Sequence, residues 1–163
     1  CRRAKRSCYI YCWKDIKAVS VSSILTSLEA QVATVLGADW SELDYSYNLE
    51  ANSNKSLEKK YGVGASSGSS VDGTTKALTV DFGFFIVLTR CFVNRSDDAN
   101  ERAMLSDMYD QFDNINETIF QKKLNNANIL VVSSLDYEEP TTVGDQGLSL
   151  KVNVTIKYRN PTT

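Results

Sequence analysis

The chain has 163 residues, 42% hydrophobic and 23% charged, with a formal net charge of −2. That size and mix predict one globular domain with a sizeable core and exclude a disordered or fibrous chain. There is no histidine, which excludes Ser-His-Asp and Cys-His catalysis and removes the commonest metal ligand.

Residues 1–17 read as a basic arm. Arg2, Arg3, Lys5, Arg6, Lys14 and Lys17 stand against Asp15, a balance of +5, so the remaining 146 residues carry −7. Such an arm suits an anionic contact, either nucleic acid or a neighbouring acidic surface, with a solvated tail as the alternative. The first residues are basic, but no apolar segment long enough for a signal's core follows them, so no secretory signal is expected. Cys1, Cys8 and Cys12 lie in the arm and Cys91 lies in a predicted strand. No CxxC pair exists; free thiols are the expectation, with a disulfide in the arm or to another subunit as the alternative.

Residues 20–36 predict a helix, with Val21, Ile24, Leu25, Leu28, Val32, Val35 and Leu36 on one face. Ser20 or Ser22 can cap it and Gly37 can end it. "ELDYSYNLE" at 42–50 alternates through Leu43, Tyr45, Tyr47 and Leu49, which predicts a strand. From Ala51 to Thr75 the chain is rich in Ser, Gly, Asn and Lys, and reads as an extended loop. It is too long for an ordinary connection, so it is expected to be either functional or disordered in isolation. The spacing of Gly62 and Gly64 lacks the lysine-serine ending of a P-loop, and phosphate binding is not expected.

"KALTVDFGFFIVLTRCFV" at 76–93 is the strongest strand, with a bend or bulge expected near Gly83. "NRSDDANE" turns the chain into a helix over 98–123, whose buried stripe is Leu105, Met108, Tyr109, Phe112, Ile115, Ile119 and Phe120. Its acidic start reads as helix capping rather than cation binding. Residues 128–137 predict a strand, and 147–158 the last one. There, Leu148, Leu150, Val152, Val154, Ile156 and Tyr158 alternate with Ser149, Lys151, Asn153, Thr155, Lys157 and Arg159. One face is built for a core, and the other is polar and cationic. No apolar run approaches the roughly 18 residues of a membrane helix, so no membrane partner is expected.

These elements predict an α+β fold for residues 18–163: a single two-layer domain with one sheet of about four strands, two helices on one face and a long Gly/Ser-rich loop. No acidic or cysteine spacing suits a metal, and no cofactor or enzymatic activity is expected.

The pairing of "YGVGASSGSS" with "TKALTVDFGFFIVLTRCFVN", the following "ERAMLSDMYDQFDNI" and the ending "GLSLKVNVTIKYRNP" resemble the tail-terminator and tail-completion proteins of tailed bacteriophages. The resemblance covers roughly residues 18–163, and "CRRAKRSCYIYCWKD" departs from it. It implies a virion structural protein without an active site, assembled in the host cytoplasm. The protein would form a homohexameric ring at the head-proximal end of the tail, end tube polymerisation and join tail to head. Its partners would be its own copies, the tail tube protein and the head connector or neck proteins, with DNA passing through the lumen. Another neck, head-completion or connector-adaptor ring is the alternative, and a secreted or surface-displayed binding domain is the reading from a different class. The candidate assembly residues are Gly62, Gly64, Ser66, Ser67, Gly68, Ser69 and Ser70 of the loop. To these the polar face adds Lys151, Asn153, Thr155, Lys157 and Arg159, and the arm adds Arg2, Arg3, Lys5 and Arg6.

Overall fold

The computed structural model describes residues 20–52, 57–74, 77–91, 98–121, 129–144 and 147–160. The basic arm, three of the four cysteines, Phe92, Lys122 and Lys123 lie outside them. The architecture is mixed α/β, with the two expected helices but a six-stranded sheet in place of about four strands, because Lys60–Thr74 and the short strands Ser41–Glu42 and Thr141–Val143 join it.

Helix α1 spans Val21–Leu36. The Ser20 hydroxyl accepts from the Ser23 N–H at 3.2 Å, and Gly37 closes the helix at φ 72, a conformation that suits glycine. Ile24, Leu28, Val32 and Leu36 are its buried row. Strand β1 is only Ser41–Glu42. Strand β2 runs Lys60–Thr74 and β3 runs Ala77–Cys91. Helix α2 spans Asp98–Asn116 and continues as a wider π turn over Glu117–Gln121. Strands β4, Ile129–Tyr137, β5, Thr141–Val143, and β6, Gly147–Asn160, complete the chain.

The strand order is β1-β2-β3-β6-β4, with β5 also paired to β6 beside β4. Only β1 and β2 are parallel. The β3–β6 pairing is unbroken from Leu78↔Asn160 to Cys91↔Gly147, and it forms the spine of the sheet. Val80, Phe84, Ile86 and Leu88 of β3 and Leu148 to Tyr158 of β6 bury their even-numbered side chains in one core with α1 and α2. Met104, Met108, Phe112, Ile115 and Ile119 supply the α2 side of it. Leu105 packs at its margin, and Tyr109 is exposed rather than part of the stripe.

Two expectations are corrected. The first is the loop over 51–75, most of which is strand β2, paired with β3 from Lys60↔Thr89 to Thr74↔Ala77. Glycine and serine are poor strand formers in isolation, but here a partner dense in β-branched and aromatic residues supplies the ladder, and context overrides propensity. The irregularity expected near Gly83 lies across from it. Residues 66–68 of β2 have no Cα partner, between Ala65↔Phe84 and Ser69↔Phe82, while Gly83 itself pairs regularly with Thr155.

The second correction concerns the strand expected at 42–50. After a last bond from Leu43 to β2 the chain leaves the ladder and crosses the far face of the sheet, forming a 3-10 turn at Leu49–Ala51. Asn52 explains the departure. Its amide oxygen accepts from Tyr45 N–H at 3.3 Å, and its amide nitrogen donates to the carbonyls of Tyr45 at 3.1 Å and Leu49 at 3.2 Å. These bonds give the backbone an alternative to a strand ladder. Leu43 and Leu57 then close a second, smaller core on Phe85, Val87 and Val143.

At the lower end of the sheet Arg90 joins three elements. Its Nε donates to Glu58 at 3.1 Å and its Nη1 donates to Asp107 of α2. The other Glu58 oxygen accepts the Cys91 N–H at 2.9 Å.

Candidate assembly surface

The polar side of β6 lies on the face of the sheet away from the helices. Lys151 Nζ donates to Glu138 Oε1 at 2.8 Å, and Asn153 Nδ2 donates to the same oxygen at 2.9 Å. The hydrogen bond from Lys151, then that from Asn153, holds the Glu138 carboxyl below the usual carboxylate range. Lys151 also sits 5.5 Å over the Phe85 ring, a cation–π contact. Lys157 pairs with Asp81 at 3.5 Å. Ser149, nearly fully buried, shares a hydrogen bond of 2.8 Å with Thr141. Thr155 is half-buried and Arg159 is exposed. Both lysines are therefore engaged within the chain, and Arg159 is the most accessible cation of this strand.

Gly62 and Gly64 form a seat. A Cβ on Gly62 would lie 2.6 Å from Ser46 Oγ, and one on Gly64 would lie 2.2 Å from the Phe85 ring and 2.9 Å from the Tyr47 ring. Their missing side chains let the 44–48 segment rest directly on the sheet. Tyr47 anchors it. Its hydroxyl accepts the Ala65 N–H at 2.8 Å, and its ring meets Phe85 edge-on at 5.2 Å. These two glycines serve the inside of the molecule, not an exposed loop. A cavity of about 310 Å³ borders the strap, lined by Glu42 to Asn48.

The remaining residues of the former loop sit on the outer edge of β2. The lower part of that edge is occupied, because Ser41 and Leu43 donate to the carbonyls of Lys59 at 3.0 Å and Tyr61 at 2.8 Å. Tyr47 takes the Ala65 amide. From Ser66 to Thr74 no described strand pairs with the outer side of β2. Ser66 is half-buried in the bulge; Ser69 pairs with Phe82 and Ser70 with Asp81 on the inner side. The register places Ser70, Asp81 and Lys157 in one row across three strands. Ser70 thus shares a face with the polar side of β6, with β3 between them, whereas Ser69 is registered opposite Phe82 of the helix-side core.

Sequence reasoning placed Tyr47 in a strand rather than in the strap, and passed over Asn52 and the Glu58–Arg90–Asp107 network. The signal for Asn52 was faint: an amide residue just after a short apolar turn. Glu29 of α1 was missed as well. Burial, then a hydrogen bond to the Glu42 carboxyl, pushes its carboxyl above the usual range. Among the described residues no group of three or more His, Cys, Asp or Glu could hold a metal ion. No described helix is long and apolar enough to cross a membrane. Neither a protein-family model nor a curated protein sequence matches this chain.

Proposed function

We propose that this chain is a virion structural protein that forms a homohexameric ring at the head-proximal end of a phage tail, ends tube polymerisation and joins tail to head. The observation that carries the reading is the outer edge of β2 from Ser66 to Thr74, which no described strand covers. Edge strands are ordinarily blunted with lysine or proline. The stretch "SSGSSVDGT" has neither, and its only charge is Asp72. Small residues allow another backbone to approach closely and add to the ladder. In this reading the edge joins an adjoining subunit. The neighbouring rings of tube and head connector meet the two rims, and Arg159 contributes to any passing contact with DNA.

The test is Ser67→Pro, placed in the bulge where no Cα partner on β3 is given up. Light scattering after size exclusion should report about six copies of the 18.1 kDa chain for the parent and a monomer for the variant. The melting temperature of the variant should match that of a dilute, dissociated parent. A parent that stays monomeric at every concentration, or a variant that assembles and completes tails normally, overturns the reading.

A further inference from the structure

The opposite edge of the sheet raises a different question. Strand β4 reads "ILVVSSLDY", with no lysine, proline or glycine and one charge, Asp136. No described strand lies on its outer side. Register shifts between Ile129 and Val131 and between Val132 and Ser134 twist its upper part, but Ser134 to Tyr137 pair regularly with β6. An apolar edge of this length is an aggregation hazard unless something covers it.

Beside this edge lies an exposed aromatic pair. Tyr137 is 46% exposed and Tyr109 of α2 is 40% exposed. Their ring centroids are 6.5 Å apart, and Tyr137 also meets Phe112 at 4.8 Å. The other exposed tyrosine with a clear anchor, Tyr47, is accounted for by Ala65 and Phe85; this pair is not. The rim is acidic: Asp110, Asp113 and Glu117 are exposed along the same helix. The charge of Asp113 bears directly on Tyr137, raising its phenol together with burial, the larger cause.

The chain carries a segment of matching chemistry. Residues 8–13, "CYIYCW", are apolar or aromatic throughout and rich in strand formers. Arg2, Arg3, Lys5 and Arg6 precede them, and Lys14 and Lys17 follow. The reach sets a condition. Helix α1 contacts β2 and α2, and β4 lies three strand spacings, about 14 Å, across the sheet from β2. The seven residues from Trp13 to Ser20 span up to about 24 Å when extended. A tether this short raises the local concentration to the millimolar range, so a weak contact suffices.

We propose that residues 8–13 dock along the outer edge of β4 in the same chain and cover Tyr109 and Tyr137, while the flanking cations face Asp110, Asp113 and Glu117. The inference is independent of the ring. The arm's charge is then spent on its own body rather than on nucleic acid.

Two measurements on the full chain test it. In hydrogen exchange followed by mass spectrometry, peptides covering 132–138 should exchange about tenfold faster in the Tyr11→Ser/Trp13→Ser variant than in the parent. The central strand 147–160 should not change. Half-molar salt or Asp110→Lys/Asp113→Lys should produce the same acceleration, because the rim contacts are ionic. Unchanged exchange at 132–138 overturns the proposal. Carbodiimide cross-linking of mixed ¹⁴N and ¹⁵N chains should join Lys5 or Lys14 to Asp110, Asp113 or Glu117 within one isotope. Mixed-isotope pairs at these residues would place the arm on another copy and overturn the same-chain assignment. Cross-links to Glu42 or Asp81 alone would move the site elsewhere and overturn it too.

Discussion

The two faces of the sheet are covered in different ways. On one, α1 and α2 lay regular apolar rows over the even-numbered residues of β3 and β6, and the result is a continuous core. On the other, an irregular strap crosses two glycines, and the buried apolar cluster among the described residues is only Leu43, Leu57, Phe85, Val87 and Val143. The helix face is held by many interchangeable contacts in series. The strap face depends on a few specific ones: a tyrosine hydroxyl, an asparagine amide and the absence of two Cβ atoms. Truncations should therefore dominate the losses on the first face, and additions the losses on the second.

Phe112 tests the first face most severely. It is fully buried between α2 and the sheet and edges against Tyr137 at 4.8 Å. Phe112→Ala removes that area and leaves a cavity, so the unfolding free energy should fall by about 3–5 kcal/mol. That is a large share of a typical domain's stability. Urea denaturation should show the midpoint shift with an unchanged slope. An unchanged midpoint would mean that the helix face is not the principal core.

The contrast between faces also explains what could be read in advance. Ile24, Leu28, Val32 and Leu36 recur at helical spacing, and Leu148 to Tyr158 alternate for eleven residues, so both elements were legible from period alone. Tyr45 and Tyr47 alternate too, yet they are 58% and 70% exposed, because Asn52 turns their backbone away from the ladder. Nothing in the local pattern separates such a strap from a strand. The Gly/Ser segment failed in the opposite sense. Its composition reads as loop, and its pairing is supplied by a partner strand whose register no local pattern announces. Of the candidate surface, the polar face of β6 was legible as a face. Its ion pairs were not, since Glu138 and Asp81 lie on other strands.

Gly64 sharpens the comparison on the strap face. In most strands alanine is preferred to glycine by about 0.5–1 kcal/mol. Here the new Cβ would stand 2.2 Å from Phe85 and 2.9 Å from Tyr47. One ring must move, and overpacking of this kind costs about 1–3 kcal/mol. Gly64→Ala should therefore destabilise, against the ordinary preference. The Ala65 amide should exchange faster as Tyr47 lifts away. Phe85→Leu in the same chain should recover part of the loss, a coupling that a double-mutant cycle measures. A stabilised Gly64→Ala variant would show that the strap does not rest there.

The smallest expected effect is electrostatic, and it has opposite signs on the two faces. On the strap face, bonds from Lys151 and Asn153 depress the Glu138 carboxyl. The folded state binds this proton less tightly than the unfolded chain, so the pair's stabilisation is present above the unfolded carboxylate range and is lost as pH falls through the depressed folded value. On the helix face, burial and the Glu42 contact raise the Glu29 carboxyl. The folded state binds that proton more tightly, so its contribution is full below the unfolded range and is lost as pH rises through the raised value. Both groups are largely solvated, and the Lys151–Glu138 pair, with side chains 38% and 45% exposed, should contribute no more than about 0.2–1 kcal/mol. Urea midpoints measured from acid to neutral pH separate the two. Glu138→Gln should flatten the loss on the acid side, and Glu29→Gln should remove a decline on the way up to neutrality. If both substitutions move the curve in the same direction, the two carboxyls do not experience the opposite environments that the two faces impose.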